Sequence, residues 1–189
     1  MLLVKSLTDA GDDDPCGPTY LAINDTIESP DPLGTEWNLW LMADSLELET
    51  NPMRCRNHFG VTLDLFMAQP LQPRWTTREF SHTFLYPGDM RRAWRERNGD
   101  APYIETLRNL RLSQPAGRGY VAVLYPRKTD EPPAQFRALA DGRGAEVVHP
   151  RGKDVVFLGL QPLNWAEDDW EFRGTAGVIR QEKTSLSLT

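Results

Sequence analysis

The stretch Tyr120-Val-Ala-Val-Leu-Tyr125, entered through Gly119 and left through Pro126, decides the fold class. It is strongly apolar, short and rich in β-branched and aromatic residues, which is the signature of a strand. Working outward, Val155-Val-Phe-Leu158 and Trp170-Glu-Phe-Arg-Gly-Thr-Ala-Gly-Val-Ile179 read the same way. Turn residues separate these runs, and no amphipathic helix long enough to cross a sheet stands between them. From Gly117 onward the chain is therefore one strand after another. The expected architecture is all-β: an antiparallel sandwich of stacked sheets, with at most one short helix near 89–97. That excludes the α/β enzymes and their usual devices, a nucleophile elbow or a phosphate loop.

The first half continues the pattern. Strands are expected at 2–6, 20–27, 37–43, 61–68, 74–83 and 103–112, and a hairpin at 45–50 and 53–59 turns at Asn51-Pro52. In 37–43, Trp37, Leu39 and Leu41 take one face and Asn38, Trp40 and Met42 the other, so cover on both sides is expected. In 61–68, Val61, Leu63, Leu65 and Met67 face inward. The polar alternation of 74–83 suits an exposed or edge strand. Asp89 can cap a turn or two of helix carrying Met90, Ala93 and Trp94 on one face, ringed by Arg91, Arg92, Arg95 and Arg97. Further strands fall at 136–139, 145–149, 154–160, 170–180 and 186–188, with a turn at 164–169 that includes Trp165. Gly174 and Gly177 inside a strand predict a bend or bulge. The whole of 1–189 is expected to be one sandwich unit, with a soft boundary near 74–100, where alternation is poorest.

At 189 residues the chain can bury a real core. Its net charge of −6 argues against a general nucleic-acid binder, since phosphate contact needs a concentrated basic surface. No apolar run is long enough for a transmembrane span, and Met1-Leu-Leu-Val-Lys-Ser lacks a signal peptide's basic start. The chain opens directly on a strand-like segment, as a fragment of something longer would. Cys16 and Cys55 read as two unrelated thiols, although sequence alone leaves a bridge open.

Candidate chemistry is sparse. His58, His82 and His149 are far apart and none has a metal-type partner at i+2 or i+4; no metal or other cofactor is expected. Asp12, Asp13 and Asp14 lack the alternation and closing Glu of a calcium loop, so they read as a solvated acidic turn. The pairs Asp25/Glu28 and Glu167/Asp169 lie where turn carboxylates are expected anyway. A pocket enzyme would have to draw on His58, Asp64 and Tyr86. The most functional-looking patch is Arg91, Trp94 and Arg95, where guanidinium groups beside an indole suit carboxylated or sulfated sugars. The competing reading is a solvated helix whose Trp94 plugs the core.

In Tyr20-Leu-Ala-Ile-Asn-Asp25, Trp37-Asn-Leu-Trp-Leu-Met-Ala43, Gly60-Val-Thr-Leu-Asp-Leu65, Gly119-Tyr-Val-Ala-Val-Leu-Tyr-Pro-Arg127, Asp154-Val-Val-Phe-Leu158 and Phe172-Arg-Gly-Thr-Ala-Gly-Val-Ile-Arg180, the series of strands resembles the C-terminal β-sandwich region of heparinase II/III-like proteins. These are bacterial polysaccharide lyases and their relatives. The resemblance implies a parent with an N-terminal α/α-toroid, secretion to the periplasm or exterior, and β-elimination on uronate-containing glycans. None of that family's catalytic or metal positions maps onto this chain. The expected role is therefore a non-catalytic sandwich that buttresses a toroid and contacts acidic polysaccharide. A free-standing carbohydrate-binding module is the alternative, and a small glycan-active enzyme using His58 and Asp64 the second.

Overall fold

A computed structural model describes residues 1–4, 18–26, 33–57, 59–84, 92, 95–96, 99, 103–168, 170–182 and 186–188, with backbone alone at 2–3, 81–84, 103–105 and 186–188. Among the described residues fourteen strands run in the order β1 (Leu2–Val4), β2 (Tyr20–Asp25), β3 (Thr35–Met42), β4 (Ser45–Glu47), β5 (Met53–Arg56), β6 (Val61–Gln69), β7 (Trp75–Phe84), β8 (Tyr103–Gln114), β9 (Tyr120–Lys128), β10 (Gln135–Leu139), β11 (Gly144–His149), β12 (Gly152–Glu167), β13 (Trp170–Glu182) and β14 (Leu186–Leu188). They form three antiparallel sheets, ordered β1-β2-β9-β6-β5-β4, β10-β11-β12-β13-β14 and β3-β8-β7. The fold is an all-β sandwich of stacked sheets. Around the expected helix, Arg92, Arg95 and Glu96 have helical backbone, and the Gly99 N–H donates to the Arg95 carbonyl at 2.8 Å. No helix among the described residues is long and apolar enough to cross a membrane.

The six-stranded sheet is the middle layer. Because side chains alternate across a strand, β9 feeds two cores. Val121, Val123 and Tyr125 pack with Phe66, Ala145, Val147, Val156 and Leu158 of the five-stranded side. Tyr120, Ala122 and Leu124 pack with Leu65, Met67, Trp37, Leu39 and Leu112 of the three-stranded side. Strand β6 does the same: Leu65 and Met67 go one way, Phe66 and Ala68 the other. Two sequence expectations are corrected here. Val61 is 38% exposed rather than inward. Strand β3 is covered on one side only: Trp37, Leu39 and Leu41 pack inward, while Trp40 and Met42 are exposed. The reason is position, since β3 is an edge of an outer layer.

The Asn51-Pro52 hairpin forms as expected, with Ser45 paired to Arg56. Strand β7 is an edge strand. The bend foreseen at Gly174 and Gly177 is a large bulge: Leu158 pairs with Ala176 and Leu163 with Gly174, so residues 159–162 stand opposite Thr175 alone. It folds the far half of the β12–β13 hairpin over the sheet's outer face. There Phe157 stacks on Phe172, with ring centroids 4.5 Å apart, and meets Trp165 at 5.0 Å. The expected turn at 164–169 is accordingly shorter, because β12 runs to Glu167 and the chain reverses at Asp168, whose φ is 53°.

Candidate functional site

Arg91 and Trp94 of the expected sugar patch lie outside the described residues, as do His58 and Tyr86; Arg95 is exposed. His82 is described by backbone only, opposite Glu105. The acidic turn at 12–14 and Cys16 are also outside. Cys55 is a buried free thiol, and burial pushes it up to about 11. Among the described residues no cluster of three metal-type ligands exists.

Asp64 does not fit the role of an enzymatic acid or base. It is fully buried, and Arg54 Nε and Arg127 Nε donate to its two oxygens at 2.9 and 2.7 Å. Both lone-pair faces are thus committed to cross-strand ion pairs on the middle sheet, and no substrate reaches them. Asp154 is its counterpart between the middle and five-stranded sheets. Arg180 grips it with two hydrogen bonds, at 2.9 and 2.8 Å, and also donates to the Pro18 carbonyl. His149 Nε2 stands 3.5 Å from the same carboxylate. Burial works against the Asp154 charge, but the contacts with His149 and Arg180 outweigh it and hold the carboxyl below its ordinary value of 3.8. The Tyr20 phenol beside it is driven far upward, first by burial and then by Asp154. The Asp64 pairs tie strands within the middle sheet, and Arg180, through its bond to Pro18, ties the five-stranded sheet to the residues leading into β2.

Among the described residues, the outer face of the three-stranded sheet carries exposed aromatic side chains. Register places three rows across it: Asn38–Arg111–Thr76, Trp40–Asn109–Arg78 and Met42–Leu107–Phe80. Trp40 and Phe80, from opposite edges, lean over the central strand until their rings stand 5.2 Å apart at 42°. They are 55% and 43% exposed, and Met42 beside them is 45% exposed. Of the five described tryptophans, Trp37, Trp75, Trp165 and Trp170 pack against cores; Trp40 alone faces outward.

Polar groups surround the rings. Asn109 is 1% exposed, and its Oδ1 accepts from Arg111 Nε at 2.7 Å. Arg111 continues to Glu36 at 3.6 Å, and Asn38 Nδ2 donates to Glu36 at 3.2 Å. With its oxygen fixed by Arg111, Asn109 is left with an amide Nδ2 that is buried and without an acceptor. An unmet buried donor is costly and uncommon. An aromatic pair rimmed by amide, guanidinium and carboxylate groups is the chemistry that grips a sugar ring, since apolar C–H faces stack on rings while hydroxyls bridge the polar rim.

The sequence named Trp40 but assigned its face to a core, and it did not single out Phe80, Asn109, Arg78 or Arg111. Their signal was present as alternation: Asn38-x-Trp40-x-Met42 and Thr76-x-Arg78-x-Phe80 mix polar and apolar groups on one face, which a buried layer rarely tolerates. No family model, no curated protein and no solved structure matches this chain.

Proposed function

We propose that this chain is a non-catalytic glycan-binding β-sandwich and that the Trp40–Phe80 face is where the glycan lies. The observation that carries this is the exposed pair of rings across β8, with the exposed Asn38 amide and Arg78 guanidinium on the same face. The Arg78 guanidinium, exposed in the same row, favours a carboxylated sugar over a neutral one. This agrees with a place beside the catalytic toroid of a heparinase II/III-like lyase, the parentage that the strand order resembles.

The test is titration calorimetry of the chain with a uronate-containing polysaccharide and with a neutral glucan, alongside ultraviolet absorbance for unsaturated uronate. Saturable binding of the uronate glycan with no rise in absorbance is expected. A rise in absorbance would make the chain an enzyme. No binding to either glycan would leave the face to a neighbouring protein domain and would reject the glycan-binding proposal.

A further inference from the structure

A concavity lies at the Gln114 end of the three-stranded sheet, five residues along β8 from Asn109, or about 17 Å at 3.3 Å per residue. Its volume is about 450 Å³, and Gln69, Leu71, Gln114, Arg118, Asp141 and Gly142 are among its walls. That lies within the range of small-molecule sites, roughly 300–1,000 Å³.

Three turns from separate parts of the fold meet here. Asn51 clamps the turn after β6: its Nδ2 donates to the Met67 and Leu71 carbonyls at 2.8 and 3.0 Å, and its Oδ1 accepts from the Met67 N–H at 2.9 Å. The turn after β8 is pinned by Gln114 Nε2 donating to the Gly119 carbonyl, and Arg118 N–H donates to the Pro115 carbonyl at 3.3 Å. The third turn, Ala140–Gly142, has three successive positive φ angles of 50°, 54° and 86°. Gly142 can be nothing else, because a Cβ there would meet the Ala68 carbonyl oxygen at 2.8 Å. Ala140 and Asp141 hold a backbone conformation that non-glycine residues avoid, a feature that concentrates at ligand sites.

The charges on these walls are opposite and separate. Arg118 rides on the turn after β8 and Asp141 on the turn after β10, both exposed, and neither ion-pairs with another described residue. A simple anion would be repelled by Asp141, and a simple cation by Arg118. One small molecule carrying both charges satisfies both walls. Ala68, Pro70, Leu71 and Ala138 supply apolar surface for the rest of it. We propose that this cleft binds a free amino acid, with its carboxylate on Arg118 and its ammonium group on Asp141.

The full chain is titrated singly with L-leucine, L-serine and L-lysine, and then with the N-acetylated and amidated forms of the tightest. Saturable binding of at least one is expected, weakened about tenfold or more by either cap. R118A and D141N should each cost about tenfold, whereas W40A should leave amino-acid binding unchanged. Asparagine tolerates a left-handed φ, so D141N removes the charge without removing the turn; an unchanged melting temperature would confirm that. Failure of all three amino acids to saturate at millimolar concentration would overturn the proposal, as would equal binding of the capped forms or of D141N. None of these outcomes depends on whether the Trp40 face binds glycan.

Discussion

Strands β9 and β3 look alike in sequence and end in opposite situations. Each carries large apolar side chains on both faces. In β9, Val123 and Ala122 go to two different cores, and both are about 1% exposed. In β3, Leu39 goes to a core and Trp40 to solvent. The difference lies in layer order: β9 is central in the middle sheet, while β3 edges an outer one. An apolar face that the fold does not cover is where an external partner is expected. The interior and the outer face should therefore respond differently to mutation.

The largest effects belong to the interior. Asp154→Ala removes the carboxylate that the buried Arg180 guanidinium grips with two hydrogen bonds and should destabilise by about 3–5 kcal/mol. Phe66→Ala, in the core shared with the five-stranded sheet, should cost a similar ~3–5 kcal/mol. Urea unfolding measures both. If either loss stayed under about 1 kcal/mol, the middle layer would not be the energetic centre of the stack.

Acid sharpens the same contrast. Asp154 and Glu146 are held below their ordinary values of 3.8 and 4.5, Glu146 chiefly by its hydrogen bond from Arg137. Carboxyls depressed in the folded state bind fewer protons than in the unfolded state. Their stabilisation is thus complete above the unfolded values and is lost as pH falls through the depressed ones. Urea midpoints should be flat toward neutral pH and fall below about pH 4.5, with a shallower fall in Asp154→Asn. A midpoint that rose on acidification would contradict the sign.

Surface features come last. Arg137 reaches Glu146 and Glu167 at 3.1 and 2.8 Å and straps the folded-back hairpin, but its side chain is 49% exposed. Arg137→Ala should cost no more than about 1 kcal/mol. Trp40→Ala should change stability by about 0.5 kcal/mol or less, although it removes the largest side chain on its strand face.

Much of the fold was legible in the sequence because strands announce themselves by period and punctuation. Tyr120–Tyr125, the Asn51-Pro52 hairpin and the bulge marked by Gly174 all follow from local chemistry. Layer order does not. Nothing within 37–43 says whether a second sheet lies over Trp40, since cover depends on which strands pair far along the chain. The extent of β12 was hidden in the same way: Gly159 and Pro162 look like punctuation, yet they form a bulge that the strand passes through. The candidate face was least legible of all. It is assembled by register from β3, β8 and β7, and the alternation in each strand gains meaning only once Trp40, Asn109 and Arg78 stand in one row.

The most direct test is calorimetric titration of the native chain, Trp40→Ala and Phe80→Ala with one uronate-containing polysaccharide, with each melting temperature recorded beside it. Saturable binding by the native chain is expected, with a loss of about tenfold or more in both variants and melting temperatures within a few degrees of native. Native-like affinity in both variants would contradict it, and so would the absence of binding by the native chain.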